Sequence, residues 1–215
     1  LTAASGLAAY DMFLAKFSSS GELIWVIRHG TELTPNGFGN LGTVGTAIEI
    51  DSDGNIWALA TFGDSWTFGP VQFKALLYKY SPTGTLLNTM LWNQGLGFDL
   101  ATASGRIYIA GTFLGDNFDL DPTANSDLVS EETGPDAWDG FIVAMSLNGN
   151  YTWGREIMDL PEQDALRSYG HGVAVDETGN VYVSGNTFVG ISYGSSITDF
   201  PFDSYLQLEE NQQSK

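Results

Sequence analysis

The chain has 215 residues and no cysteine, which excludes disulfides and thiolate metal sites from its chemistry. Its 26 acidic residues against 8 basic ones give a net charge of −18, which argues against nucleic-acid binding because phosphate contacts depend on lysine and arginine. The same charge argues against an anionic membrane surface, and no stretch is long and apolar enough to insert into a membrane.

Two kinds of predicted β-hairpin alternate along the chain. The first kind is an alternating run, a glycine turn and a second run that ends on or near tryptophan; it occupies residues 13–25, 77–92 and 141–153. The second kind turns on Asp-x-x-Gly-Asn or a degenerate form of it, and it occupies residues 47–62, 99–113 and 172–188. Period-two alternation around a turn-forming glycine is typical of a hairpin. In chain order, we predict turns at Gly21, Gly54, Gly84, Gly105, Gly149 and Gly179.

Each pair of hairpins supplies four antiparallel strands, and the turn glycines of the first kind recur 63 and 65 residues apart. Repeated four-stranded antiparallel sheets are the blades of a β-propeller. We therefore predict an all-β fold, with residues 1–215 forming a single β-propeller region of about three blades' worth of strands, which is a partial propeller. We expect the repeats near residues 1–30 (a second half-blade), 45–92, 97–157 and 170–215 (a first half-blade and linker). The segment from Leu160 to Ser168, which contains Pro161, is predicted to be a loop or a single helical turn.

Three segments carry a resemblance to a known family: Gly172 to Phe188, Phe118 to Pro122 and Asp11 to Trp25. Together they resemble the SBBP-type bacterial β-propeller repeat. The sequence departs from that pattern at Leu100–Arg106, where the Asp and Asn of the turn are missing, and at Val71–Tyr80, where the linker is shortened. The resemblance implies a surface or secreted protein whose relatives share no defined activity, so we expect an extracellular or cell-surface location.

Aromatic residues recur at equivalent places in the repeats. We expect them to pack blade against blade, since repeated units bury a continuous core together, although a sugar-binding face is the alternative. These residues are Trp25, Trp57, Trp92, Tyr108, Trp153 and Tyr182. Trp66 and Trp138 lie outside the repeat pattern and are the candidate residues for stacking on a ligand.

Two acidic segments are candidate Ca²⁺ sites, because hard cations prefer oxygen ligands and the chain has no cysteine and only two histidines. One comprises Asp51 and Asp53, for which a hairpin turn is the competing interpretation. The other comprises Asp116, Asp119 and Asp121 in the acidic linker from Leu114 to Asp139, for which a solvated loop is the competing interpretation. We expect no cofactor apart from Ca²⁺ at one of these two segments. Asn150 begins a candidate N-glycosylation sequon, Asn-Tyr-Thr.

Neither His29 nor His171 lies in a metal-binding spacing, and no Gly-x-Ser-x-Gly motif occurs. We therefore predict a non-catalytic module that binds a protein or glycan or acts as a scaffold. The alternative is a polysaccharide-acting enzyme, a glycosidase or lyase, with carboxylates in the propeller channel. Three blades do not close a ring, so we expect further blades from a longer chain; the alternative is association of copies, for example two chains that make six blades.

Overall fold

The computed structural model describes residues 11–29, 42–64, 72–129, 138–157 and 166–189, and in these ranges it contains strands and turns but no helix. The strands are β1 (Met12–Phe17), β2 (Leu23–His29), β3 (Gly42–Ile50), β4 (Ile56–Asp64), β5 (Gln72–Tyr80), β6 (Leu86–Asn93), β7 (Gly95–Ala103), β8 (Arg106–Leu114), β9 (Phe118–Asp119), β10 (Leu128–Val129), β11 (Trp138–Ser146), β12 (Tyr151–Ile157), β13 (Leu166–Val175) and β14 (Val181–Val189).

The strands form two complete blades and two half-blades. Blade I has the order β3-β4-β5-β6, and blade II has the order β7-β8-β11-β12. An N-terminal half-blade consists of β1 and β2, and a C-terminal half-blade consists of β13 and β14. All pairings are antiparallel, and the first strands of successive blades, β3, β7 and β13, lie beside one another. The predicted all-β partial propeller of four-stranded blades is therefore confirmed.

All six predicted turns are present. Their glycines all have positive φ, between 75° at Gly105 and 89° at Gly179. This left-handed backbone region is accessible to glycine at little cost. At Gly105 the preceding Ser104 also has positive φ, and Ala103 pairs directly with Arg106. The degenerate hairpin is therefore a two-residue turn, in contrast to the longer turns of the other five.

The blades repeat their irregularities as well as their strands. A bulge interrupts each first strand at the same place, between Gly45 and Ala47, between Gly97 and Asp99, and between Gly170 and Gly172. Bulges are conserved devices for bending a strand. Their recurrence gives a residue-by-residue equivalence between blades.

Three apolar clusters hold the blades together, one at each boundary between neighbours. Met12 and Leu14 of the N-terminal half-blade pack on Tyr78 and Tyr80 of blade I. Blade I packs on blade II through the largest cluster, which includes Trp57, Leu59, Leu77, Trp92, Ile107, Ile109, Phe113, Phe141, Val143 and Met145. Blade II packs on the C-terminal half-blade through Tyr108, Ala110, Ile142, Ala144 and Val173. The core thus lies between blades, as expected for a repeat architecture.

The expectation that the recurrent aromatic residues pack between blades is met by five of six positions. Trp57, Trp92 and Tyr108 are buried, and Trp25 and Trp153 are half-buried in the boundary clusters. For Tyr182 the expectation is wrong, because its side chain is 58% exposed. Tyr182 projects from the last half-blade, and no further blade lies beyond it among the described residues.

The predicted loop or helical turn at Leu160–Ser168 is wrong over its last three residues, which belong to β13. Leu166, Arg167 and Ser168 pair with Val189, Phe188 and Thr187 of β14. The Ser168 hydroxyl donates to the Ile157 carbonyl and accepts from the Gly140 amide, which joins the half-blade to blade II. Cross-strand pairing therefore determines the local structure there. The rest of the segment lies outside the described residues.

Candidate functional site

The Asp-x-x-Gly-Asn-x-Trp motif of blade I is a closed hydrogen-bonded turn. Oδ1 of Asp51 accepts the amides of Asp53 and Asn55 at 3.0 and 2.8 Å. Oδ2 of Asp51 accepts the side-chain amide of Asn55 at 3.1 Å and the indole Nε1 of Trp57 at 3.0 Å. Burial opposes ionisation of Asp51, but the hydrogen bonds from Trp57 and Asn55 outweigh it and lower the pKa of the carboxyl group.

The same unit recurs in the C-terminal half-blade. Oδ1 of Asp176 accepts the amides of Thr178 and Asn180, and Oδ2 accepts the side chains of Asn180 and Tyr182. Hydrogen bonds, the largest from the Asn180 side chain, lower the pKa of Asp176 well below its usual value. Blade II lacks both the Asp and the Asn, and its turn is correspondingly shortened to two residues.

Lys79 completes this unit in blade I. Its Nζ lies 3.9 Å from Oδ2 of Asp51 and 4.9 Å from the centroid of the Trp57 ring. The same Nζ donates to the carbonyl of Leu147 in blade II at 2.6 Å. The Asp51 carboxylate is fully enclosed, so its charge is matched by a cation and by four hydrogen-bond donors. Asp51 thus accepts the hydrogen bonds that stabilise the blade I turn.

The acidic linker between β8 and β11 is not simply a solvated loop, because its first part is a packed wedge. Phe118 and Leu120 are buried between blades I and II, and Phe118 stacks on Phe113 with centroids 4.6 Å apart. The Trp92 indole donates to the Leu120 carbonyl at 3.0 Å. A short β9–β10 pair closes the segment, with Leu128 opposite Asp119. Residues 118–129, called the wedge below, therefore attach blade II to the outer strand of blade I.

The wedge carboxylates accept hydrogen bonds from wedge amides and from Tyr151 of β12. Oδ1 of Asp119 accepts the amides of Asp121 and Asp127, and Oδ1 of Asp121 accepts the amide of Thr123. The Tyr151 hydroxyl donates a hydrogen bond to the Asp127 carboxylate. Burial, together with this bond and the neighbouring carboxylates, raises the pKa of Tyr151.

Within the part of the chain that the structure describes, no group of three or more His, Asp or Glu side chains converges as metal ligands do. Asp116, Asp119 and Asp121 follow one another along the wedge and the turn before it, and Asp51 and Asp53 lie in the blade I turn. The Ca²⁺ hypothesis for both segments therefore rests on the sequence and stays a prediction.

A polar cavity of about 430 Å³ lies between β6 and the wedge. Its apolar lining residues are Leu91, Trp92 and Pro122. Its lining residues with carboxylate, amide or hydroxyl groups are Asn93, Gln94, Asn117, Asp119, Asp121 and Thr123. Gln94 and Asn117 have positive φ, 65° and 60°. Gln94 also joins the two blades, since its amide donates to the Phe73 carbonyl and its carbonyl accepts from the Leu114 amide. The cavity is thus held by backbone contacts from both blades.

The two candidate tryptophans have different outcomes. Trp138 begins β11 and is half-buried, and its ring packs on Phe73 with centroids 5.3 Å apart. Trp66 lies outside the described residues. Asn150 is exposed in the β11–β12 turn, where its amide donates to the Ser146 hydroxyl. Modification of Asn150 stays a prediction.

A group of three aromatic rings, Phe98, Tyr169 and His171, was not predicted from the sequence. His171 is the bulged residue of β13, and its ring lies 5.0 Å from the ring of Phe98, the bulged residue of β7, and 6.0 Å from that of Tyr169. His171 is exposed and the two other rings are half-buried. The Gly-x-(Ala/Asp/Gly) sequence repeated at the bulges marks the equivalent positions in the chain. It does not show that Phe98 and His171 lie close together, because that depends on β7 and β13 being adjacent.

No helix of the described residues is long and apolar enough to cross a membrane. No curated protein matches the chain. Residues 165–189, which include the whole β13–β14 hairpin, match the SBBP beta-propeller repeat, and this match confirms the resemblance that the sequence motifs indicated.

Proposed function

We propose that the chain is a non-catalytic β-propeller module of an extracellular or cell-surface protein and binds a glycan or protein partner at the cavity between β6 and the wedge. The observation that carries the proposal is the lining of that cavity. Amide, carboxylate and hydroxyl groups converge there beside the Trp92 and Leu91 side chains. Such a convergence of hydrogen-bonding groups suits a hydroxyl-rich ligand.

The rigidity of the cavity supports a binding role. The Trp92 indole holds the Leu120 carbonyl, and the Asp119 carboxylate holds two wedge amides. Gln94 is hydrogen-bonded to both blades. A preorganised site loses little conformational entropy when a ligand binds.

The carboxyl groups favour binding over catalysis. A glycosidase needs a carboxylic acid whose pKa is raised so that it can donate a proton. Two carboxyl groups with shifted pKa values, those of Asp51 and Asp176, are shifted downward and serve as turn acceptors. We therefore rank the polysaccharide-acting enzyme second.

A glycan array followed by titration calorimetry tests the proposal. We expect a positive glycan to bind the wild type and to bind Asn93→Ala about tenfold or more weakly, since one direct hydrogen-bonding group is lost. Thr89→Ala is the matched control, because Thr89 is exposed on the same strand but does not line the cavity.

Two results would count against this function. New reducing ends or unsaturated products after incubation with polysaccharides would establish the enzyme instead. An array on which no glycan binds would exclude a glycan as the ligand. A protein partner that binds the wild type and Asn93→Ala equally well would exclude the cavity as the binding site.

A further inference from the structure

The two half-blades are complementary parts of one blade. β1 and β2 correspond to β5 and β6 of blade I, since Phe17 pairs with Leu23 as Tyr80 pairs with Leu86 after the same bulge. β13 and β14 correspond to β3 and β4, since both first strands bulge after Gly45 or Gly170. In the described ranges, one half-blade has only the last two strands of a blade, and the other has only the first two.

Two strands at the ends of the described array, β3 of blade I and β14 of the C-terminal half-blade, expose side chains that their equivalents bury. Ile48 of β3 is 54% exposed, whereas its equivalents Leu100 and Val173, each of which faces the preceding blade, are 3% and 9% exposed. Tyr182 is 58% exposed, whereas its equivalents Trp57 and Tyr108, each of which faces the following blade, are at most 2% exposed. Among the described residues, only a half-blade precedes the first position, and no blade follows the second.

An apolar groove of about 510 Å³ marks the place of the missing strands. It runs between β1 and β3, and Phe13, Leu14, Val44 and Ile48 are among its lining residues. In blades I and II, the first strand of the preceding blade lies beside the first strand of the next. A β13–β14 hairpin placed in the groove would reproduce that arrangement.

A charged contact indicates that the two half-blades are complementary. In blade I, Lys79 lies close to the Asp51 carboxylate and over the Trp57 ring, and its Nζ donates to the turn carbonyl of Leu147 in the next blade. Lys16 occupies the equivalent position in β1, and its Nζ already donates to the equivalent turn carbonyl, that of Pro82, at 3.2 Å.

The other half of this contact is in the C-terminal half-blade, where Asp176 and Tyr182 are equivalent to Asp51 and Trp57. Blade II, which has Ala144 in place of the lysine, also lacks the aspartate in its turn. Lysine and aspartate therefore occur together within a blade, and the divided blade carries one on each half.

We infer that the β13–β14 half-blade of one copy docks on the β1–β2 half-blade of a second copy and completes a four-stranded blade. The pairing of β4 with β5 sets the register, with Val181 opposite Phe17, Tyr182 opposite Lys16 and Val183 opposite Ala15 of the other copy. In the part of the chain that the structure describes, the two half-blades flank two complete blades, which is too few for a ring. Two copies supply six blades, and six lies within the range of closed propellers.

Light scattering and sedimentation of the full chain test this inference at about 0.15 M salt, where screening limits the repulsion between two acidic chains. We expect a discrete species of twice the 23.2 kDa chain mass. Lys16→Glu should weaken the association about tenfold or more, because it places a carboxylate beside Asp176. Arg106→Glu makes the same charge change at the first residue of β8 and should leave the association unchanged.

Engineered cysteines test the register, because the natural chain has none. Ala15→Cys with Val183→Cys places the two thiols at directly opposed positions, within disulfide reach. Ala15→Cys with Val181→Cys shifts one thiol by two residues on the same face and should cross-link far less. Circular dichroism and a cooperative melt verify that every variant is folded.

A folded monomer at all concentrations would overturn the inference, and so would open-ended polymers. Equal cross-linking of the two cysteine pairs would also overturn it. The contact between the two half-blades lies apart from the cavity beside β6. The association of two copies and ligand binding at the cavity can therefore be disproved independently.

Discussion

The indole Nε1 of Trp57 donates a 3.0 Å hydrogen bond to Oδ2 of Asp51, six residues earlier in the chain. This bond connects a turn residue to a side chain that is wholly buried between blades I and II. The turn and the core between blades I and II are therefore coupled, and a substitution in the turn should lower the stability of the fold.

Replacing Asp51 with alanine should destabilise the fold by about 2–4 kcal/mol, because it removes a charged acceptor from four donors and leaves the buried Trp57 indole without a partner. Urea unfolding measures the loss. Asp53→Ala is the control, since Asp53 is exposed in the same turn, and its effect should stay within about 0.5 kcal/mol. Equal effects of the two substitutions would contradict the role given to Asp51.

The contribution of Asp51 should depend on pH. Its folded-state pKa is lowered from 3.8, so the ionised carboxylate stabilises the fold above about pH 4 and this contribution disappears as the pH falls below that value. Measured by urea unfolding, the stability difference between wild type and Asp51→Asn should be constant from about pH 7 to 5 and shrink below about pH 4. A difference that stays constant down to pH 3 would mean that the charge of Asp51 contributes nothing.

The close approach of β7 in blade II to β4 in blade I can be tested at Gly97. A Cβ there would lie 2.7 Å from Cδ1 and 2.8 Å from Cγ of Leu59, which is fully buried and cannot move aside. Gly97→Ala should therefore cost about 1–3 kcal/mol through overpacking. In a double-mutant cycle with Leu59→Ala, the combined cost should fall short of the sum by at least about 0.5 kcal/mol. Strict additivity would show that the two residues do not clash.

The attachment of the wedge can be tested at Trp92. Trp92→Phe keeps an aromatic ring but leaves the buried Leu120 carbonyl without its donor, at a cost of about 1–3 kcal/mol. Amide hydrogen exchange should accelerate across residues 118–129 more than in the blade strands. Trp153→Phe is the control, because Trp153 is half-buried at the other boundary of blade II and does not contact the wedge carbonyl. Unchanged exchange in the wedge would contradict the anchoring role.

The strands and turns could be predicted from the sequence because their causes are local. Gly54 and Gly179 must have positive φ, and the runs beside them alternate with period two. The exposure of Tyr182 could not be predicted, because it depends on whether a blade follows the half-blade. Within one chain the repeat pattern makes Tyr182 look identical to Trp57.

The candidate site was only partly predictable for the same reason. The acidic composition of the linker suggests a solvated loop, whereas Phe118 and Leu120 are buried once blades I and II lie side by side. The role of Asp119 as an acceptor of two wedge amides depends on the short β9–β10 pair, which is too short to produce a recognisable alternation. The cavity beside β6 exists only in the assembled pair of blades.

A crystal structure of the full chain tests most directly whether the half-blades complete one another. The account predicts a closed ring of six blades formed by two copies, with Nζ of Lys16 within about 4–5 Å of the Asp176 carboxylate and the Tyr182 ring of the other copy, as Lys79 is placed in blade I. A folded chain whose β1 and β14 edges pair with nothing, with Tyr182 still exposed, would contradict it.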